Sequence, residues 1–195
     1  MRRVISRRLA QIQLCDRPVQ VLVSDPPWKF GDKIQGQRGA EWKYKCLPLD
    51  QIARFQLPEL CAQSILFLWR VAAMQDEALF VCKAWGFRPY SEITWVKMTK
   101  HDKMHMGMGH VVRAAHESCL IGVRGRRLPP ATLAERSVLI AKTGEHSEKP
   151  QDFYELVDRL YPDAIKHEMF ARRTRPGWQQ TGNQLGRLDI FPVNE

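Results

Sequence analysis

Four consecutive residues, Asp25-Pro26-Pro27-Trp28, bring together groups suited to holding an amine. An ionised carboxylate only accepts hydrogen bonds, and a prolyl residue keeps its carbonyl acceptor although it has lost its N–H. The exocyclic amine of a nucleobase is conjugated with its ring, so its lone pair is a poor nucleophile toward a methyl sulfonium. Two fixed acceptors, Asp25 and a carbonyl of the Pro26-Pro27 pair, would each take one N–H and localise that lone pair. Successive prolines hold φ near about −65°, so the acceptors are placed before a substrate arrives, a usual source of catalytic advantage. Trp28 adds a flat face on which an extruded base can stack. The same string could merely be a stiff turn with a core tryptophan. Its position favours chemistry, because it directly follows the apolar run Val19-Gln20-Val21-Leu22-Val23, at the strand end where open α/β sheets place their sites. The candidate catalytic set is therefore Asp25, Pro26, Pro27 and Trp28, with the Pro26 carbonyl as the second acceptor.

The elements that must position this turn follow from pattern and punctuation. Residues 19–24 read as a buried parallel strand, and 29–45 as a long loop over the site. A helix is expected from Pro48 to about residue 60, a strand over 64–69, and a helix over 72–85 ended by Gly86. Strands are expected over 90–97, 117–124 and 138–141, a helix from Lys149-Pro150 through Leu160 with Phe153, Leu156, Val157 and Leu160 as its apolar face, and a last strand over 164–170. Residues 98–112, rich in Met, His, Gly and Lys without periodicity, read as a mobile loop. Strands alternating with helices predict an α/β fold with a mainly parallel sheet. Trp69, Trp85 and Trp95 fall inside these elements and read as core.

The 195 residues suit one domain, 1–195, with a basic segment at 1–18 and a polar tail at 186–195. No apolar run of membrane-spanning length occurs, which predicts a cytoplasmic protein with no membrane partner. Five cysteines without Cys-x-x-Cys spacing argue against a disulfide framework or zinc site. His101, His105 and His110 could suggest a metal site, because His101 and His105 stand at i and i+4, but Met106-Gly107-Met108-Gly109 disfavours a helix there, so no metal is expected. Thirty Lys+Arg against 21 Asp+Glu give a net charge of +9, which favours a polyanionic partner. The clusters Lys97/Lys100/Lys103, Arg124/Arg126/Arg127 and Arg172/Arg173/Arg175 each follow an expected strand and are predicted to gather on one phosphate-tracking rim.

Beyond these readings, the chain resembles the adenine-N6 methyltransferases of the MTA-seventy type, the family of the catalytic subunit of the messenger-RNA adenosine methyltransferase. The likeness spans residues 19–188 and rests on ordered blocks: residues 23–28, Leu66-Phe67-Leu68-Trp69, Ile93-Thr94-Trp95-Val96-Lys97, residues 117–125, Lys149-Pro150, Glu168-Met169-Phe170-Ala171-Arg172 and residues 178–185. It implies a Rossmann-like methyltransferase fold in which the catalytic motif precedes the cofactor motif. Only 24 residues precede Asp25, too few for a strand-turn-helix-strand unit, which agrees with that order. The resemblance implies S-adenosyl-L-methionine as cofactor, held by Asp25, His116, Glu168, Phe170, Arg172, Asn183 and Gln184, and a target base held by Trp28, Tyr44 and Lys149. At His116 relatives often have lysine, they tend to have glycine at Ala171, and His-Asn aligns with Thr174-Arg175. The implied activity is N6 methylation of adenine in nucleic acid, DNA favoured over RNA because the chain is short and lacks zinc-finger spacing. The alternative is a catalytically silent or partner-dependent nucleic-acid-binding subunit, and a monomer or a dimer is equally compatible with the sequence. Cytosine-N4 and glutamine methylation are disfavoured, since those related motifs usually begin with Ser and Asn respectively.

Overall fold

The computed structural model describes residues 17–29, 46–109, 111–144 and 148–182. Their strands are β1 (Val19–Ser24), β2 (Leu60–Arg70), β3 (Arg88–Met98), β4 (His116–Arg124), β5 (Val138–Lys142), β6 (Lys166–Met169) and β7 (Gln179–Thr181). The helices are α1 (Leu49–Ala53), α2 (Gln75–Ala84, preceded by a 3-10 turn at Ala72–Met74) and α3 (Gln151–Leu160). All seven strands form one sheet in the order β5-β3-β4-β2-β1-β6-β7. β1 is central, parallel to β2 on one side and to β6 on the other, and β6 is parallel to β7.

β4 alone runs against the rest, antiparallel to both β2 and β3. A parallel return from β3 would need a crossover, usually helical. The described residues between β3 and β4 supply no helix and fold instead as an irregular hairpin. Thr99 and Lys103 close a tight turn with Asp102 at φ 57°, and the His105 N–H donates to the Lys97 carbonyl at 2.8 Å.

Alternation along the strands divides the core between two faces. Val21, Val23, Phe67, Trp69, Ile93 and Trp95 pack against α3 through Phe153, Leu156 and Val157, with Leu160 at the edge of the cluster, as its spacing predicted. Leu22, Leu66, Leu68 and Leu120 pack on the opposite face against Ile52 of α1 and Ala78, Val81 and Cys82 of α2. Trp69, Trp85 and Trp95 are all buried in these layers. Gly122 of β4 sits where a Cβ would lie 2.9 Å from the Cys82 sulfur, so α2 rests directly on the sheet.

Three expectations change. α1 stops at Ala53, since Pro58 bars continuation and holds Leu57 extended, and Leu60 joins β2 opposite Val19. β7 forms from the polar Gln179-Gln180-Thr181 by pairing along β6, where the sequence suggested only a polar stretch. The single basic rim is divided: β4 reversal carries Arg124, Arg126 and Arg127 to the end of the sheet opposite the one reached by Lys97, Arg172 and the turn after β1.

Candidate active site

The α1 connection leaves β1 over one face of the sheet, and α3 enters β6 over the other, so β1 and β6 flank a topological switch point, where α/β sheets hold ligands. Asp25 follows β1 at its carboxyl end, where Ser24 lies opposite Met169. The backbone beyond Asp25 is held from two sides. The Trp28 N–H donates to the Pro26 carbonyl at 2.8 Å, and the Leu47 N–H donates to the Pro27 carbonyl at 2.9 Å. A carbonyl has two lone pairs, so Pro26 retains an acceptor site. Trp28 is only 5% exposed, and its indole N–H donates to the Trp69 carbonyl at 2.9 Å. It anchors the turn into the α1 face of the core, in contrast to the open stacking face the sequence suggested.

Asp25 ends a chain of alternating charges. Its Oδ2 accepts from Lys149 Nζ at 2.6 Å, Lys149 also reaches Glu117 Oε2 at 3.3 Å, and the other Glu117 oxygen accepts from Lys97 at 2.5 Å. The Lys149 side chain is 7% exposed and lies 5.4 Å from the Trp69 ring centroid. Burial works to lower its pKa, but Asp25 and Glu117 outweigh it and hold the ammonium above its ordinary value. For Glu117, burial works upward and the two lysines prevail, so the carboxyl titrates below its ordinary range. Asp25 Oδ1 takes no partner among the described residues.

A second cluster covers the β6 side. Glu168 accepts from the Tyr154 hydroxyl at 2.6 Å and from the Gln180 amide at 2.9 Å. Burial raises its carboxyl above the ordinary value, against the pull of those two bonds and of Arg175. The Arg175 guanidinium stacks 3.5 Å above the Tyr154 ring. Phe170 turns at φ 60° just past β6 and packs on Phe55 with ring centroids 4.7 Å apart. At the end of β7, a Cβ on Gly182 would lie 2.1 Å from the Ala171 carbonyl oxygen, so only glycine lets the chain pass so closely beside Ala171-Arg172. Among the described residues no group of three or more His, Cys, Asp or Glu side chains converges as a metal site.

The MT-A70 family model matches residues 19–184. The chain belongs to the MT-A70 family. Human N(6)-adenosine-methyltransferase catalytic subunit METTL3 is 30% identical over 175 residues, which cover 88% of this chain and 29% of that protein. The N(6)-adenosine-methyltransferase MT-A70-like protein of Arabidopsis thaliana is 29% identical over 179 residues, 90% of this chain and 24% of that protein. The type II methyltransferase M.MunI of a Mycoplasma species is 27% identical over 192 residues, 89% of this chain and 80% of that protein. The chain thus spans about a quarter of the eukaryotic relatives and most of the bacterial one. Its mixed, mostly parallel sheet is the Rossmann-like methyltransferase fold of the MT-A70 family.

Within this MT-A70 site the structure brings together Asp25, Pro26, Lys149 and Glu168 around the β1/β6 crevice, with Phe170 and Arg172 on the loop after β6. His116 starts β4 at the same end of the sheet and is exposed, but it precedes Glu117 and so points to the other face. Tyr44, Asn183 and Gln184 lie outside the described residues, as does His110. The sequence reading did not single out Glu117, Tyr154 and Gln180, and it took Lys97 for a phosphate-tracking cation where the structure pairs it with Glu117. Glu117 offered one signal: it is the single acid of a strand whose following residues Ser118–Val123 are uncharged, and an acid there demands a counter-charge once buried.

Proposed function

We propose that the chain is an S-adenosyl-L-methionine-dependent methyltransferase acting on the exocyclic N6 amine of adenine in nucleic acid, with DNA favoured over RNA. One observation carries the reading: at the carboxyl end of the central strand, Asp25 has one carboxylate oxygen pinned by Lys149, while its other oxygen and the second lone pair of the Pro26 carbonyl take no partner among the described residues. Asp25 Oδ1 accepts one amine hydrogen and the Pro26 carbonyl the other, which turns the nitrogen lone pair out of conjugation. S-adenosyl-L-methionine supplies an electrophilic methyl group when bound. The donor set beside β6 suits it: Glu168 offers a buried carboxylate for hydroxyl donors and Arg172 a cation, and the resemblance assigns Asn183 and Gln184 to the same cofactor. His116 remains a candidate for the amino-acid end.

Once the nitrogen carries the methyl group, the surplus amine proton lies on the hydrogen bond to Asp25, the acceptor able to take it before release to solvent. Tyr44 is assigned to the target base, and Trp28 to holding the turn beneath it. The hairpin at 99–115 places Lys100 and Lys103 at this end of the sheet, beside Met104, Met106 and Met108, all largely exposed. These residues offer charge and soft apolar surface to the polymer around an extruded base. DNA is favoured on the likeness to the type II methyltransferase, 27% identical over 192 residues.

The test is nucleoside mass spectrometry after incubation with the cofactor and, separately, single- and double-stranded DNA and RNA, with Asp25→Ala in parallel. N6-methylated adenine produced by the parent chain and not by the variant supports the reading and names the polymer. No methylated adenine on any of these polymers, from protein shown calorimetrically to bind the cofactor, overturns the stand-alone enzyme and favours a partner-dependent subunit.

A further inference from the structure

The end of the sheet away from Asp25 carries a concentration of cations. β3 begins there at Arg88 and β4 finishes there at Arg124, with Arg88 opposite Val123 and Arg124 opposite Ser64. Arg17 leads into β1, and Lys83 lies in the last turn of α2. Gly125 then turns the chain at φ +64°, and a Cβ there would lie 2.2 Å from the Ala62 carbonyl oxygen. That close contact fixes the exit of Arg126 and Arg127 at this end. Arg127 lies within electrostatic reach of Tyr161, which closes α3, and the Arg88 guanidinium stands 5.8 Å from the ring of the exposed Tyr90.

These arginines differ from those elsewhere in their pairing. Arg70, Arg159 and Arg173 each hold a carboxylate, whereas Arg88, Arg124, Arg126 and Arg127 have none among the described residues. Nearby acids do not cancel them: Glu135 and Asp158 are engaged by Arg159 and Lys166, leaving the exposed Glu59 and Asp163. From β3 across β4 and β2 to β1 is three strand spacings, about 14 Å at about 4.8 Å each. One strand of a duplex presents about four phosphates over that length at about 3.4 Å of rise per step.

We infer that this arginine-rich end is a second, sequence-independent contact for a nucleic-acid backbone, separate from the reaction end. Guanidinium groups pair with phosphate oxygens through two parallel hydrogen bonds, and Tyr90 offers a face to an unpaired base. The inference rests on the reading that the chain acts on nucleic acid, which supplies a long polyanion already bound at the other end. β1 alone, six residues at about 3.3 Å, separates the two ends by about 20 Å through the core, and the path over the helices is longer. A short substrate therefore reaches only one end, and a long one reaches both.

The experiment compares the parent chain with R88Q/R124Q/R126Q/R127Q, none of which lies near Asp25. Affinity is measured by fluorescence anisotropy over a salt series on a hairpin of about 5 base pairs, about 17 Å long, and on a duplex of about 30 base pairs. On the long duplex the variant should lose at least tenfold in affinity at about 0.1 M salt, and the slope of log K against log salt should flatten by up to about 3.6, near 0.9 for each of four lost phosphate contacts. Affinity and methylation on the short hairpin should stay as in the parent, which also verifies the variant's fold. An unchanged slope on the long duplex overturns the inference. So does a loss seen only on phosphatidylserine vesicles or on polyglutamate, which would assign the face to a membrane or an acidic protein. Binding and methylation are read separately, so a parent chain that methylates no polymer counts against the proposed activity and not against this surface.

Discussion

Replacing Lys149 by Met tests the buried ion chain most directly. Met keeps the length and apolar stem of the side chain and removes its charge, so Asp25 and Glu117, whose side chains are 22% and 15% exposed, face each other with Lys97 as the remaining cation. Removing one partner of a buried pair costs about 3–5 kcal/mol, because the other charge stays behind desolvated. Two carboxylates are stranded here and only Glu117 keeps a lysine, which places the expected loss at about 4–5 kcal/mol near pH 7.5. For a chain of this size that is a fall of roughly 10–15 °C in Tm. Urea unfolding is the assay, with an unchanged m value showing that the compactness of the two states is the same. The loss should shrink as pH falls. In the parent chain Glu117 is held below its ordinary value by the lysines, so it contributes stability above the unfolded carboxylate range. In the variant, burial dominates and protonation relieves the strain. Glu117→Gln added to Lys149→Met should therefore recover part of the stability. A loss under about 1 kcal/mol, the size typical of an exposed pair, or one that does not change with pH, would refute the coupling.

Asp25→Asn presents a donor where the amine needs an acceptor and should lower kcat by about 10²–10³-fold, with cofactor affinity followed by calorimetry. His167 is buried and its pKa is pushed down to about 4, chiefly by burial against the Gln179 bond that raises it, so the unfolded chain binds the extra proton between about pH 6.5 and 4. Stability should fall by about 3 kcal/mol as pH drops through that window, and urea unfolding of His167→Gln should show the slope removed. Gly182→Ala forces the backbone off Ala171, so it should cost about 1–3 kcal/mol and weaken cofactor binding about tenfold.

Much of this fold could be read from apolar periodicity, because a strand buried on both faces or a helix with one apolar stripe announces itself locally. Val19–Ser24 and the stripe Phe153, Leu156, Val157 of α3 were legible for that reason. β7 was not, since Gln179-Gln180-Thr181 has no apolar member and exists through hydrogen bonds to a strand 12 residues earlier, as between His167 and Gln179. The reversal of β4 was legible in principle: no helical pattern separates β3 from β4, and that absence itself calls for a hairpin. The Asp25 turn was legible because its chemistry is contiguous in the chain. The groups that charge and aim it were not, because Lys149 meets Asp25 across 124 residues of sequence and Glu117 across the sheet.

The reversed strand also makes the molecule divisible in a way an all-parallel sheet is not. Because β3 and β4 meet through a hairpin, the segment 99–115 is tied to the body mainly by backbone bonds at its base, between Lys97 and Ala115 and between Lys97 and His105. Its exposed tip packs no core layer, so residues there can be inserted, deleted or exchanged without disturbing Glu117 or the lysines below. What the proposed site grips above Asp25 can therefore change by rewriting one loop, while the charge chain through Lys149 and Glu117 is left intact.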